Sequence, residues 1–151
     1  MDAPTQDPFD LRRFERAQAE TYTTALAELH RGRKATHWMW YVFPQLRGLG
    51  QSEMSVRYGI SGLEEARAYL AHPVLGTRLQ ECAEAVLAVP DRSAEEILGP
   101  VDAMKLRSCA RLFAQVAEPG SVFARVLARS ISDVAETAST DLVLKERPAR
   151  G

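Results

Sequence analysis

The side chains best suited to chemistry in this chain gather in one window, residues 29–52. The window contains no Asp or Glu, and it holds both tryptophans, Trp38 and Trp40, beside the cationic and aromatic residues Arg31, Arg33, Lys34, Arg47, Tyr41 and Phe43. Cationic side chains bind phosphate and carboxylate groups, and indole and phenol rings offer flat faces for stacking. The window therefore predicts a site for a small, planar, anionic metabolite, such as a nucleotide or an ADP-ribose-like compound.

The two tryptophans also allow a simpler interpretation, in which their rings fill the hydrophobic core. Cations among aromatic side chains are, on the other hand, the usual composition of a ligand pocket. His37 lies in the same window and could act as a general acid or base, whereas a single histidine is more often a structural residue. The sequence leaves these alternatives open.

A second polar group, formed by Asp102, Lys105 and Ser108, has the three-residue spacing of one helix edge. Asp102 is a further candidate acid or base, although an Asp–Lys pair at this spacing is usually an ordinary surface ion pair. Cys82 and Cys109 lie on apolar faces and are predicted to be buried thiols. The chain has no Cys-x-x-Cys, His-Glu-x-x-His or glycine-rich phosphate motif, so we assign no metal and no cofactor.

The overall composition limits the classes of partner. A length of 151 residues fits one domain, and the net charge of −1 disfavours nucleic acid as a partner. The polar N-terminus lacks a signal peptide, and no apolar stretch approaches the ~20 residues of a membrane span. We therefore expect a cytoplasmic protein without membrane contact, whose oligomeric state the sequence leaves open.

Apolar residues recur at helical spacing through most of the chain. This periodicity predicts helices at residues 8–31, 61–71, 73–89, 93–99, 100–117 and 122–128. Ser61 with Glu64, and Ser93 with Glu96, have the spacing of capping boxes. Residues 38–43 fit either a short helix or a short buried strand, and residues 52–60 are ambiguous.

These elements predict a mainly α fold, a compact single-domain bundle of about five to seven helices with an irregular aromatic segment after the first helix. We expect residues 1–7 to be a flexible N-terminus and residues 8–129 to form the helical domain. Residues 130–151 are polar and are expected to be a poorly ordered C-terminal tail.

The chain resembles the bacterial domain of unknown function 1810 family. The most specific match is the segment His37-Trp38-Met39-Trp40 followed by Phe43-Pro44-Gln45, and the resemblance covers residues 9–128. It implies a mainly α domain and no established activity. Some relatives carry the label calpastatin, but a calpain inhibitor would be extended and disordered, whereas this sequence predicts a packed domain. The polar positions typical of the family map to Arg13, Gln18, Lys34, His37, Gln45, Arg57, Tyr58, His72, Arg78, Asp102, Lys105 and Ser108.

Two functional hypotheses follow from these residues. In the first, a cleft binds the planar anion, and if a reaction takes place there, His37 or Asp102 is the acid or base. The expected anion contacts are Lys105, Arg57 and Arg13, the stacking face is Trp38 or Trp40, and the further ligand contacts are Gln18, Lys34, Gln45, Tyr58 and Ser108. In the alternative, the aromatic segment mediates non-enzymatic protein interaction or self-association.

Overall fold

A computed structural model describes residues 7–49 and 51–129 of the chain, and within them the fold is mainly α, as predicted. The predicted tail, residues 130–151, and residues 1–6 of the predicted flexible N-terminus lie outside the described residues. The helices are α1 (Arg12–His30), α2 (Met39–Val42), α3 (Glu53–Arg57), α4 (Leu63–Ala71), α5 (Leu75–Ala88), α6 (Ala94–Leu98), α7 (Pro100–Ala114) and α8 (residues 122–129). Three of these, α2, α3 and α6, are about one turn long, and α2 and α3 come from the segments that the periodicity left undecided.

Helix α1 begins four residues later than predicted. The side chain of Asp7 accepts hydrogen bonds from the backbone N–H of Leu11 (2.8 Å) and of Arg12 (3.2 Å). Asp10 has a positive φ of 54°, so a turn separates Pro8 from the helix. The helix ends at His30, and Gly32, two residues further on, has a positive φ of 76°, a conformation that favours glycine.

The aromatic segment is an irregular connection that contains helix α2. After Pro44, the chain forms a short β-bridge with the residues that follow α3. Arg47 N–H donates to Ile60 O (2.7 Å), and Ile60 N–H donates to Gln45 O (2.8 Å). A Cβ atom at Gly59 would lie 2.8 Å from the Arg47 Cα atom, so only glycine allows this close crossing. The crossing fixes the aromatic segment beside α3.

The hydrophobic core lies between α1, α4, α5 and α7. A row of ring contacts crosses it, from Phe14 to Tyr69 (5.1 Å between centroids) and from Tyr69 to Phe113 (5.4 Å). Helices α4 and α5 meet closely, because a Cβ atom at Gly76 would lie 2.0 Å from the Leu70 carbonyl oxygen. This packing gives the aromatic segment and α7 a rigid support.

The two predicted capping boxes have different outcomes. The box at Ser93 and Glu96 is confirmed at the start of α6. The box at Ser61 and Glu64 is wrong, because Ser61 donates both its backbone N–H and its hydroxyl to Glu65 Oε1 (2.8 Å each), and Gly62 takes the N-cap position. Glu65 is buried and also pairs with an arginine of α1, so the tertiary contact determines the geometry.

Both cysteines are free, buried thiols, as predicted. Burial raises the pKa of Cys82 to about 12 and also raises that of Cys109. None of the helices formed by residues 7–49 and 51–129 combines the length and the apolar character that spanning a bilayer would require.

Candidate functional site

Trp38 is a core residue. Its side chain is 1% exposed, and its indole N–H donates to Glu28 Oε1 at 2.8 Å. The buried Glu28 carboxylate also accepts from the backbone N–H of Ala35 (2.8 Å) and from the N–H (3.0 Å) and hydroxyl (2.7 Å) of Thr36. Burial alone would raise the pKa of Glu28, but these four hydrogen bonds outweigh it and lower the pKa to about 2. Glu28 therefore stays charged and fixes the start of the aromatic segment.

Trp40 has the opposite environment. It is partly exposed and borders a small, partly open cleft with a volume of about 30 Å³. Four of the predicted ligand-binding residues line this cleft, and two methionines join them: Trp40, Gln45, Tyr58, Lys105, Met39 and Met54. The cleft thus brings together residues from α2, from the loop after it, from the end of α3 and from α7.

A cluster of three charged side chains adjoins the cleft. Asp102 accepts an ion pair from Lys34 (Nζ to Oδ2, 3.1 Å) and a longer one from Lys105 (Nζ to Oδ1, 3.7 Å). Each lysine also lies near one tryptophan ring: Lys34 Nζ is 5.2 Å from the Trp38 centroid, and Lys105 Nζ is 5.7 Å from the Trp40 centroid. Cation–π attraction operates at such distances, so the cluster connects the buried tryptophan to the cleft tryptophan.

The positions of these lysines and of Asp102 follow from helix ends and one loop contact. Pro100 occupies the first turn of α7 and Asp102 follows it, near the positive end of the helix dipole. Lys34 reaches Asp102 because its backbone N–H donates to Ile97 O of α6 at 2.8 Å. Helix α6 packs against α7, so the loop after α1 is held beside the first turn of α7.

Arg13, a predicted anion contact, is fully engaged within the protein. Its five guanidinium N–H groups point to the backbone carbonyls of Phe9, Asp10, Arg57 and Gly59 and to Glu65 Oε2, at distances of 2.6–3.0 Å. No donor of the guanidinium remains for a ligand. The geometry therefore favours a structural role for Arg13, joining α1 to the segment between α3 and α4.

Gln18 belongs to another internal network, between α1 and α5. Its amide nitrogen donates to Tyr41 O (2.7 Å) and to the hydroxyl of Tyr69 (3.2 Å), while its amide oxygen accepts from Arg78 (3.2 Å). The side chain is 2% exposed. The structure thus places Gln18 beneath the aromatic segment and not in the lining of the cleft.

The remaining predicted residues lie apart from the cleft lining. His37 is exposed and makes no hydrogen bond or ion pair with any residue that the structure describes. Arg57 is exposed, with its guanidinium carbon 5.6 Å from the Tyr58 centroid, and Ser108 is half-buried on α7. His72 has a helix-capping role, because its Nδ1 accepts from the backbone N–H of Val74 and of Leu75 (3.1 Å each).

Sequence reasoning missed the carboxylates Glu28 and Glu65. Glu28 lies one residue before the acid-free window and supplies the negative charge that the window lacks. Glu65 sits on a helical face whose periodicity gave no reason to expect a buried acid. In the described residues, no group of three or more His, Cys, Asp or Glu side chains has the arrangement of a metal site.

Comparison with known proteins agrees with this mainly α architecture. The chain matches the family model for "Protein of unknown function (DUF1810)" over residues 8–143, and it belongs to that family. It is also similar to the crystal structure of the conserved hypothetical protein Rv1873 from Mycobacterium tuberculosis, with 56% sequence identity, a TM-score of 0.80, and coverage of 82% of this chain and 88% of that chain. No curated protein matches the chain. The resemblance predicted from the sequence is thus confirmed, and the matches attach no activity to it.

Proposed function

We propose that the cleft beside Trp40 binds a small, planar, anionic ligand of the nucleotide or ADP-ribose type. The observation that carries this proposal is the position of Lys105, whose ammonium group lies 5.7 Å from the centroid of the partly exposed Trp40 ring at the edge of the cleft. A flat apolar face and a cation are the two features that a planar anion requires. Gln45 and Tyr58 add polar atoms to the lining.

The charge of the cleft favours an anion. Lys34 and Lys105 share the single carboxylate of Asp102, so this cluster carries one excess positive charge. Lys105 is the more accessible of the two lysines, with 32% of its side chain exposed against 10% for Lys34. We therefore assign the direct ligand contact to Lys105 and the stacking contact to Trp40.

The size of the cleft limits how much of a ligand it encloses. Its volume of about 30 Å³ is far below the roughly 300–1,000 Å³ of pockets for drug-sized ligands. In this proposal, only the edge of the planar group enters the cleft. The rest of the ligand lies at the mouth, against Trp40 and Lys105.

We propose no reaction at this site. Both oxygens of Asp102 face ammonium groups, which is the environment of a charge-balancing carboxylate. His37 is not part of the cleft lining. The acid–base roles of Asp102 and His37 stay predictions from the sequence, as does the cytoplasmic location.

Thermal unfolding in the presence of AMP, ADP-ribose, benzoate and the uncharged control adenosine tests the proposal. A ligand at one hundred times its dissociation constant stabilises the protein by about 2.7 kcal/mol. We expect a shift with at least one anion and a smaller shift with adenosine. Trp40→Ala and Lys105→Met should abolish it, while Arg111→Met, which removes an exposed cation further along α7, should retain it.

Two results would contradict the proposal. If no anion shifts the unfolding temperature, or if Lys105→Met and Arg111→Met respond alike, the cleft is not the binding site. Quenching of tryptophan fluorescence gives a second measurement. Because Trp38 is 1% exposed, a ligand in the cleft should quench mainly Trp40, and Trp40→Phe should remove that response.

One observation favours the alternative function, non-enzymatic interaction or self-association. Five large apolar side chains are exposed on the segments that form the cleft, namely Leu46, Leu49, Val56, Val101 and Met104. Exposed apolar surface is typical of interaction sites. Sedimentation of the wild type and of Met104→Ser over a range of concentrations tests self-association: a dimer weakened by the substitution would support it, and a monomer at every concentration would exclude it.

A further inference from the structure

We propose that Lys34 is a positioning residue, which holds the Asp102 carboxylate and so leaves the ammonium group of Lys105 available to an anion in the cleft. The inference rests on the proposed anion site and adds a residue that the cleft lining does not contain. The sequence predicts that Lys34 contacts the ligand directly. The geometry gives it an indirect role instead.

The two ion pairs of Asp102 are unequal. The Lys34 pair is the shorter, at 3.1 Å, and the Lys34 side chain is 10% exposed; the Lys105 pair measures 3.7 Å, and the Lys105 side chain is 32% exposed. A short pair that is shielded from water is stronger than a long pair in solvent. Lys105 can therefore leave Asp102 for a ligand while the carboxylate remains paired.

Among the described residues, Asp102 forms ion pairs with Lys34 and Lys105 and with no other cation. The nearby Arg107 is itself paired with Glu95 of α6 (2.9 Å). Glu28, beneath Trp38, accepts four hydrogen bonds and offers Lys34 no ion pair. Without Lys34, the remaining cation of the cluster is Lys105, and Asp102 would hold it. The excess positive charge of the cluster would then disappear.

A test without a ligand uses the fluorescence of Trp40 and two quenchers, anionic iodide and neutral acrylamide. The ratio of their quenching constants reports the positive charge near Trp40, because the buried Trp38 is shielded from both. At low ionic strength we expect Lys34→Met to lower this ratio by about twofold. Lys34→Arg keeps the cation and should preserve the ratio, as should the distant substitution Arg111→Met.

The decisive comparison is made in the Asp102→Asn background. If Lys34 acts by holding Asp102, Lys34→Met should have little effect once the carboxylate is gone, and Asp102→Asn alone should raise the ratio. If Lys34→Met lowers the ratio equally in both backgrounds, the lysine contributes only its own charge and the inference is overturned. An unchanged ratio in Lys34→Met also overturns it.

The same variants connect this inference to ligand affinity. With AMP as the probe, Lys34→Met should weaken binding by about fivefold, and the added Asp102→Asn substitution should restore it, which a merely structural role would not produce. Lys105→Met should not be rescued by Asp102→Asn. If the wild type binds no anion, the proposed function fails, while the iodide experiment still decides the role of Lys34.

Discussion

The two tryptophans of the aromatic segment are two residues apart, and they have opposite environments. Trp38 is 1% exposed, and its N–H donates to a buried carboxylate. Trp40 is partly exposed, and its N–H makes no hydrogen bond to any residue that the structure describes. The first ring stabilises the fold, whereas the second leaves a flat face accessible. Side chains of one type, almost adjacent in sequence, thus divide between core and candidate site.

The carboxylates beside these rings differ in the same way. Glu28 accepts four hydrogen bonds from fixed N–H and O–H groups. Asp102 instead faces two lysines, one of which is 32% exposed and can exchange its partner. A region whose polar groups are all satisfied stabilises the native state. A region with an accessible cation retains the capacity to bind.

Truncating each tryptophan should give the largest difference between the two regions. Trp38→Ala removes a fully buried ring and should lower the free energy of unfolding by about 3–5 kcal/mol. Trp40→Ala should lower it by only about 1 kcal/mol. Urea unfolding followed by far-UV circular dichroism measures both, and equal losses would mean that Trp40 also belongs to the core.

Replacing the buried carboxylate should have the next largest effect. At neutral pH, Glu28→Gln should lower the free energy of unfolding by about 3 kcal/mol, because the pKa of Glu28 falls from its ordinary 4.5 to about 2 on folding. This stabilisation is fully present above the unfolded pKa and is lost as the pH falls through the folded one. The difference between wild type and variant should therefore shrink between pH 5 and pH 2.

The control for this pH dependence is Glu53→Gln, at an exposed carboxylate in the first turn of α3. Its difference from the wild type should stay small over the whole range. A Glu28→Gln difference that did not change with pH would show that the carboxylate contributes shape and not charge.

Arg13→Lys tests whether the conservative change is tolerated where all donors are engaged. Lysine has three donors on one nitrogen and cannot reproduce the planar fork that reaches five acceptors, so we expect a loss of about 2 kcal/mol. The neighbouring Arg12 is exposed, and Arg12→Lys should leave the midpoint of urea unfolding unchanged. If the two substitutions have equal effects, the hydrogen bonds of Arg13 contribute no net stability.

Much of the fold could be predicted from the sequence because its signals are local. The apolar periodicity of α1, α5 and α7 identified those helices, and Ser93 with Glu96 marked the start of α6. The errors arose where a tertiary contact replaced a local rule. The capping box at Ser61 failed because Glu65 binds Ser61 and Arg13 together.

The candidate site was less predictable, because it joins residues that are distant in the chain. Lys34 and Asp102 meet only because Ile97 of α6 fixes the loop after α1, a contact that no spacing reveals. Arg13 and Gln18 are of residue types that commonly contact anionic ligands. Only the hydrogen-bond partners of their side chains show that both make internal structural contacts.

The smallest expected effect on stability concerns the residue most important for the proposed binding. Lys105→Met should change the free energy of unfolding by less than about 0.5 kcal/mol, because its ion pair with Asp102 is long and exposed and Asp102 keeps Lys34 as a partner. The same urea titration measures it, with Arg111→Met as the matched loss of a cation. A loss above about 1 kcal/mol would assign Lys105 to the structural contacts. A near-zero change combined with lost anion binding would show that Lys105 contributes to binding and not to stability. The hydrogen-bonded groups around Trp38 would then differ from it in contributing to stability.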